Sequence, residues 1–342
     1  MFKGCTSLKT IDNLNFETRN VSNMAEMFYD CQSLQNVTPL RSWDTSKVID
    51  MRNMFKYTST LASITPLNNW NTSMVTNMSQ MFRDSGITEI NGLEWNIKSV
   101  GDPSKQYNTD HGIAYMFADC TKLNLIKNTK FINSPEYDTP VNESGVYSKY
   151  VNAIGMFSGA GSESSTFDIN NLYIDSQNIN SIQNMFSSCT KLKTISDLTF
   201  ANSSICDNIS SLFAYCSNLK SVTNLSIDIS GLSGSDINNK GMAGLFRNDS
   251  ALTTLKNIQL KDSKTNHSYG AQRLFESCTS LNDIDGFWFE SQNCINLQNA
   301  CNSLGSSATI APDFLKFLKP GILYSSTELT KVPTGFKSEN IW

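Results

Sequence analysis

The sequence predicts an α/β repeat protein, a solenoid with a parallel β-sheet on one face and short helices on the other. Three observations lead to this fold class. A Met-Phe phrase recurs along the chain, its copies are almost evenly spaced, and each copy combines two different hydrophobic periods. Self-similarity at a fixed period is the signature of stacked repeats, which bury their apolar side chains against one another.

The Met-Phe pair sets the register of the repeats. Its first residue, here called the anchor, is followed by Phe in nearly every copy. The anchors are Met1, Met27, Met54, Met81, Met116, Met156, Met185, Leu212, Leu245, Leu274 and Ala300. The base spacing of 26–27 residues lies in the leucine-rich range, so we expect a leucine-rich-repeat solenoid of about 11 repeats over residues 1–304. The longer steps predict insertions near 96–111, 127–151, 231–240 and 261–268.

The first half of each repeat reads Val-x-x-Met-x-x-Met-Phe, with apolar residues three apart. This spacing predicts one face of a short helix. Polar residues stand just before the phrase, as in Asp44-Thr45-Ser46, where a side chain can accept a hydrogen bond from a free backbone N–H group.

The second half reads Cys-x-x-Leu-x-x-Ile-x-x-Leu, followed by Phe or Trp. We interpret the Leu-x-x-Ile part as a short strand that is followed by a bend. Pro39 and Pro66 lie just beyond two of these strands, which fits strands that stop there. Stacking such strands side by side gives a parallel sheet with about 4.8 Å between neighbours.

The phrase Val-x-x-Met-x-x-Met-Phe-x-x-Cys-x-Ser-Leu resembles the BspA-like leucine-rich repeats of bacterial surface proteins. It is similar in particular to the Met-Phe-rich repeats of mycoplasma-type variable surface lipoproteins and Gram-positive cell-surface proteins, and the resemblance covers about residues 1–304. It implies a solenoid displayed outside the cell and used for adhesion to proteins or glycoproteins. It supplies no catalytic motif. The chain departs from this pattern because we find no signal peptide, lipobox cysteine or wall-anchor motif.

Composition narrows the classes of partner. The 27 basic and 31 acidic residues nearly balance, and no strongly basic domain points to nucleic acid. The sequence has no apolar run of about 18 residues, so we expect no membrane span. Met1-Phe2 already occupies a repeat position, so we expect an uncapped N-terminal edge that continues upstream or is covered by another domain. Apart from that edge we expect a monomer, with residues 305–342 as a C-terminal cap.

The nine cysteines could form a ladder of metal sites, disulfides or small buried thiols. Six of them share the position four residues after the anchor, where Thr58, Ser85, Ala160 and Asp249 stand in other repeats. A metal ladder is disfavoured because no Cys-x-x-Cys spacing exists. We expect small buried thiols, although neighbours such as Cys189 and Cys216 would lie close enough for a disulfide. The methionines and Trp43, Trp70 and Trp95 are likewise expected to fill the core.

No catalytic motif, phosphate loop or metal signature is present, and the two histidines, His111 and His267, lie in insertions. We therefore expect a non-enzymatic protein without cofactor or metal. The predicted function is a cell-surface binding or adhesion module for a host or microbial protein or glycan. A phage or mobile-element receptor-binding protein and a structural spacer without specific ligand are the alternatives.

Two surfaces are candidates for ligand binding. The 127–151 insertion carries Tyr137, Tyr147 and Tyr150, and binding residues favour loops on a rigid scaffold. The outward positions of the strands are small and polar, with a thin basic stripe at Lys191, Lys193, Lys220 and Lys256. We choose the three tyrosines as the site.

Overall fold

A computed structural model of the chain describes most of residues 1–303. The described residues are 1–12, 14, 16–101, 110–133, 151–233, 241–263, 269–281, 287–289, 294–296, 299–300 and 303. Tyr137, Tyr147, Tyr150, His267 and the expected cap at 305–342 lie outside them, as do the middle parts of all four expected insertions. The extent of each insertion therefore stays a prediction.

Most of the regular structure is parallel β-sheet, as the sequence predicted. The strands are β1 (Glu89–Asn91), β2 (Glu94–Asn96), β3 (Leu125–Ile132), β4 (Val151–Asn152), β5 (Phe167–Asp175), β6 (Ile179–Ser181), β7 (Leu192–Ala201), β8 (Ser221–Asp228), β9 (Thr254–Lys261), β10 (Tyr269–Gly270), β11 (Phe287–Phe289) and β12 (Cys294–Asn296). The main sheet has the order β1-β3-β5-β7-β8-β9-β11, and β2 also pairs with β3. Short parallel pairs, β4 with β6 and β10 with β12, lie outside it. Neighbouring strands come from successive repeats, so the array grows by stacking.

The predicted strands before Pro39 and Pro66 are wrong. Residues 34–37 and 61–64 belong to no named strand, and only Ser63 forms an isolated bridge, to Glu89. Two 3-10 helices, Thr38–Ser42 and Thr65–Asn69, follow them directly, each with proline in its first two positions. Proline lacks a backbone N–H group to donate to a ladder, and its fixed φ suits the start of a helical turn. The repeats that form long strands, such as β7 and β8, have no proline at this point.

The short helices predicted for the Met-Phe segments are also wrong. In the described residues the only helices are the two 3-10 helices. The Met-Phe segments are turns, because the residue before the anchor and the residue three after it have φ near +60°. In the second repeat these residues are Glu26 and Asp30, with φ of 56° and 58°. Ten anchors from Met27 to Ala300 share this feature. A left-handed residue every four positions cannot continue a right-handed helix.

Backbone hydrogen bonds in these turns alternate between two directions. Around Met54, the N–H groups of Asn53 and Phe55 donate to carbonyls of the next repeat, at 3.1 and 2.8 Å. The Met54 N–H donates within its own repeat, to the Met51 carbonyl at 3.2 Å. The turn segment is therefore a ladder between repeats, and its amide groups are satisfied without a helix.

A continuous stack of ten phenylalanines runs through the core. Their ring centroids lie 5.2–5.7 Å apart and their planes are within 1–16° of parallel. The members of this phenylalanine stack are Phe2, Phe28, Phe55, Phe82, Phe117, Phe157, Phe186, Phe213, Phe246 and Phe275. Met54 and Met81 are fully buried, as predicted, and so are Met116, Met156 and Met185. The prediction is wrong for Met1 and Met74, which are 79% and 50% exposed. Trp43, Trp70 and Trp95 are buried beside the stack, with ring centroids 6.0–6.4 Å from its members or Phe16.

The shared cysteine position is a core position with a repeated hydrogen bond. The thiols of Cys120, Cys189 and Cys216 each donate to the carbonyl of the stacked Phe in the repeat before, with Sγ···O distances of 3.0–3.2 Å. Seven of the eight described cysteines are buried, and Cys5 is exposed. A thiol, a Thr hydroxyl or a small side chain fills this space, which accounts for the variation at the position.

Candidate functional site

Of the two candidate surfaces, the structure describes only the strand face. Much of its polarity is used within the sheet. Asn171 donates to Asn128 at 3.0 Å, Asn224 to Asp197 at 2.7 Å, and Asn257 to Asn224 at 2.9 Å, all between side chains of adjacent strands. These five residues have positive φ, which Asn and Asp tolerate better than most residues. Their ladder holds the bend in each strand, and we assign it a structural role.

A more distinctive surface lies beside the Met-Phe turns of the second to fourth repeats. An open groove of about 490 Å³ is lined by Tyr29, Asp30, Gln32, Tyr57, Ser59 and Asp84. We call it the tyrosine groove. Its lining residues come from successive repeats, because they follow the anchors Met27, Met54 and Met81 by two to five residues. The core stack directly beneath fixes their spacing.

The two tyrosines form a corner of the groove. Their ring centroids are 5.5 Å apart and their planes are nearly perpendicular, at 88°. Tyr57 is 37% exposed, although it is a large aromatic residue at the edge of a fully buried core. Its φ of 64° directs the residue out of the turn. Tyr29 is partly buried beside it. A rigid aromatic pair with one exposed ring is typical of contact surfaces.

Basic side chains surround the tyrosines. The Lys3 and Lys56 Nζ atoms lie 4.8 and 4.9 Å from the ring centroids of Tyr29 and Tyr57, respectively. Lys3 also pairs with Glu26 at 2.6 Å, and Lys56 donates to the Gln80 side chain at 2.7 Å. These contacts place each ammonium group over an aromatic ring and near an oxygen acceptor.

Arg83 completes the electrostatic border of the groove. Its guanidinium lies 5.4 Å from the Tyr115 ring centroid. Its Nη2 atom is 3.1 Å from Asp119 Oδ2, and its Nε atom is 3.5 Å from Asp84 Oδ2. Arg83 lies closer to Asp119 than to Asp84. Its ion pair with the Asp84 carboxylate, which lines the groove, is therefore the weaker of the two.

Burial shifts the ionisation of three groups here. The pKa of Asp84 is raised, mainly by burial and then by the nearby negative charge of Asp119. The pKa of Lys56 is lowered, first by burial and then by Arg83. Burial also raises the pKa of Tyr57. Each charged form is thus partly desolvated, which strengthens electrostatic contacts to an incoming group.

The same combination of cation and tyrosine recurs farther along the chain. Arg247 lies 5.7 Å from the ring centroid of Tyr215, and its Nε atom is 2.6 Å from Glu276 Oε2. Tyr215 occupies the same position after its anchor as Tyr57 and is 43% exposed. It provides a matched comparison for the groove.

Sequence reasoning missed the tyrosine groove because the segment was interpreted as a helix. A signal was present. Tyr29, Tyr57, Tyr115 and Tyr215 all lie within three residues of an anchor, at positions without an apolar pattern. Recognition of the Asn, Asp and Gly residues that recur before and after the anchors would have indicated turns, and turns place such tyrosines at the surface.

Two further observations concern chemistry and membranes. Among the described residues, no group of three or more His, Cys, Asp and Glu side chains is arranged to hold a metal ion. In the same part of the chain, no helix has the length and apolar character needed to span a bilayer.

These features define a class, a repeat protein built from stacked parallel β-structure around a phenylalanine core. Comparison with known proteins then gives the family. The chain belongs to the family described as "Mycoplasma protein of unknown function, DUF285", whose model matches residues 1–125, 127–225 and 180–309. Three matches to one model agree with the repeated architecture. No curated protein and no solved structure matches the chain.

Proposed function

We propose that this protein is a non-enzymatic binding module that acts at the cell surface in adhesion to a host or microbial protein or glycan. In this proposal the stacked repeats are a leucine-rich-repeat solenoid of the BspA-like type, without a cofactor. The observation that carries the proposal is the tyrosine groove, in which the exposed Tyr57 and the partly buried Tyr29 are bordered by charges on a rigid core. Tyr and Arg are enriched among the residues that dominate binding energy in protein interfaces.

The stack of repeats supports this proposal because it gives the groove a fixed shape. Phe28, Phe55 and Phe82 are fully buried beneath it, with centroid separations of 5.4 and 5.3 Å. A preorganised surface loses less conformational entropy on binding than a mobile one. The same argument makes a repeat array suitable for presenting a site away from its point of attachment.

The direct test is an array of matrix proteins, plasma glycoproteins and glycans, probed with the fluorescently labelled full chain. We expect a small number of saturable signals that weaken in a Tyr57→Asn variant, because Asn is compatible with the positive φ at this position. The Tyr215→Asn variant is the matched control and should retain them. Uniformly flat signals would contradict the proposal and favour a structural spacer.

The role of Tyr137, Tyr147 and Tyr150 in binding stays a separate prediction. Replacing residues 134–150 with a short Gly-Ser linker removes all three tyrosines and leaves β3 and β4 in place, because these strands comprise Leu125–Ile132 and Val151–Asn152. We expect the variant to fold and to bind the array ligands more weakly. Unchanged binding would exclude the insertion and leave the tyrosine groove as the candidate.

A further inference from the structure

We propose that the tyrosine groove binds an arginine side chain presented on the surface of a partner protein. The proposal rests on the proposed binding function and specifies the chemistry of the ligand. It follows from three properties of the groove, namely its aromatic corner, its two carboxylates and its open shape.

The aromatic corner is already a cation-binding environment within the chain. Both rings carry an ammonium group within 5 Å of their centroids, from Lys3 and Lys56. The negative π-face of an aromatic ring attracts cations, and arginine makes such contacts more often than lysine. The perpendicular arrangement of Tyr29 and Tyr57 offers a face and an edge to a flat group that enters between them.

The charges of the groove lining favour a cation. Of the six residues that line it, Asp30 and Asp84 are acidic and none is basic. Gln32 donates to Asp30 Oδ1 at 2.8 Å, which fixes the position of that carboxylate. The neighbouring Arg83 lies closer to Asp119 than to Asp84. The groove therefore contains negative charge that an incoming cation would neutralise.

The state of Asp84 supports this conclusion. Its pKa is raised by burial and by Asp119, although Arg83 and Lys56 act in the opposite direction. The resident cations therefore do not fully compensate the cost of its charge. An additional positive group beside it would lower that cost, and this gain is available only when a ligand is bound.

Arginine fits better than lysine or a neutral sugar for reasons of shape. A guanidinium is planar, so it can stack on one tyrosine while its N–H groups point at a carboxylate in its own plane. A lysine ammonium is a more strongly hydrated point charge without a stacking surface. A sugar would pack on the rings but would add no positive charge beside the Asp30 and Asp84 carboxylates. The open volume of about 490 Å³ accommodates one such side chain with its flanking backbone.

The proposal is tested by titrating the full chain with an acetylated tetra-arginine amide in isothermal calorimetry at low salt. Tetra-citrulline amide has nearly the same shape without charge, and tetra-lysine amide has the same charge without a planar group. We expect the arginine peptide to bind, the lysine peptide to bind several-fold more weakly, and the citrulline peptide to give no heat of binding. Equal affinity for the lysine or the citrulline peptide would overturn the proposal.

Variants locate the site. Tyr57→Asn and Asp84→Asn remove a ring and a charge at positions with φ of 64° and 58°, where Asn is tolerated. We expect each to lower the affinity for the arginine peptide about tenfold, as loss of a cation–π or charge-assisted contact does. Tyr215→Asn should stay within about twofold of the parent, because Tyr215 is exposed beside Arg247 but is not part of the groove. An equal loss in Tyr215→Asn, or no loss in the first two variants, would overturn the assignment.

Two outcomes separate this inference from the proposed function. Saturable protein or glycan signals on the array, together with no binding of the arginine peptide, would overturn the arginine site and leave the binding function standing. Peptide binding that depends on Tyr57, together with a flat array, would support the arginine site and contradict adhesion to the ligands tested.

Discussion

At the scale of single residues, the most informative position is the one four residues after each anchor, which Asp249 occupies in one repeat. Asp249 is fully buried. Its Oδ1 atom accepts a hydrogen bond from the Cys216 N–H at 2.8 Å, and among the described residues Oδ2 has no partner. Burial, and then Cys216, raise the pKa of Asp249 well above its usual value.

This shift predicts a pH dependence of stability. A carboxyl group whose pKa is raised by folding binds its proton more tightly in the folded state. Its contribution to the free energy of unfolding is therefore complete below the unfolded-state pKa of about 3.8, and it is lost as the pH rises through the folded-state pKa. Asp249→Asn keeps the acceptor oxygen and removes the charge. We therefore expect urea unfolding to show that the variant is more stable than the parent at pH 7.5. This difference in the free energy of unfolding should shrink towards pH 4.5, by up to about 1.4 kcal/mol for each pH unit. Asp12→Asn, at an exposed position, should show no such trend.

The thiols make a second residue-scale prediction. Burial raises the pKa of Cys31 to about 11 and of Cys120 and Cys206 to about 12, whereas Cys5 is exposed. Since the thiolate is the reactive form, these three should react with iodoacetamide at pH 8 at least about 100-fold more slowly than Cys5. Mass spectrometry of tryptic peptides before and after denaturation measures this. Rapid native-state labelling of Cys120 would contradict the assigned burial.

At the scale of elements, the turn ladder explains why the Met-Phe segments are not helices. The apolar spacing of three residues is compatible with a helix and with a turn ladder, so the pattern alone did not distinguish them. The distinguishing residues are those at positive φ, such as Asn53, Gly155 and Asn184. Asn and Gly recur there because they tolerate the left-handed region, and a residue such as Gln80 occupies it at a conformational cost.

Two glycines at positive φ test the ladder. Gly4 and Gly112 have φ of 76° and 77°. A Cβ atom at Gly4 would meet nothing within 4 Å, whereas at Gly112 it would lie 2.6 Å from the Asn152 carbonyl oxygen in the next repeat. We expect Gly4→Ala to cost about 1–2 kcal/mol for backbone strain. Gly112→Ala should cost about 1–3 kcal/mol more because of overpacking. Urea unfolding measures both, and equal costs would mean that the repeats are not in contact at Gly112.

The phenylalanine stack makes a further prediction at this scale. Phe117 is fully buried between Phe82 and Phe157, with centroid separations of 5.2 and 5.3 Å. Phe117→Ala should lower the free energy of unfolding by about 3–5 kcal/mol. Phe16→Ala is the comparison, because Phe16 is 39% exposed and should cost clearly less. Similar losses at the two positions would contradict a continuous buried stack.

At the scale of the whole molecule, the sequence was sufficient for the parallel sheet, the repeat period and the burial of nine of the eleven anchors, the exceptions being Met1 and Met27 at the N-terminal edge. These depend on a hydrophobic pattern that recurs in every repeat, and burial enforces such a pattern strongly. The backbone of the turns and the 3-10 helices at Thr38–Ser42 and Thr65–Asn69 depends on single residues with special φ values, which a hydrophobic period does not report.

The candidate site could not be predicted for a related reason. Tyr29 and Tyr57 become neighbours only when two repeats stack in register, and their exposure depends on the turn conformation. From composition alone, we instead predicted a site at three tyrosines in the 127–151 insertion. In a repeat protein, a surface site is set by the residues at equal positions in adjacent repeats, so searching for sites requires both the register and the local backbone.

The central claim is that each Met-Phe segment is a turn ladder hydrogen-bonded to the next repeat around the phenylalanine stack. Nuclear Overhauser spectroscopy on a deuterated chain with protonated phenylalanine rings and amides tests it most directly. We predict ring contacts from Phe55 to both Phe28 and Phe82, and, in the same sample, backbone chemical shifts that correspond to positive φ at Asn53 and Tyr57. Sequential amide contacts of a continuous helix over residues 48–57, without the ring contacts between repeats, would contradict the account.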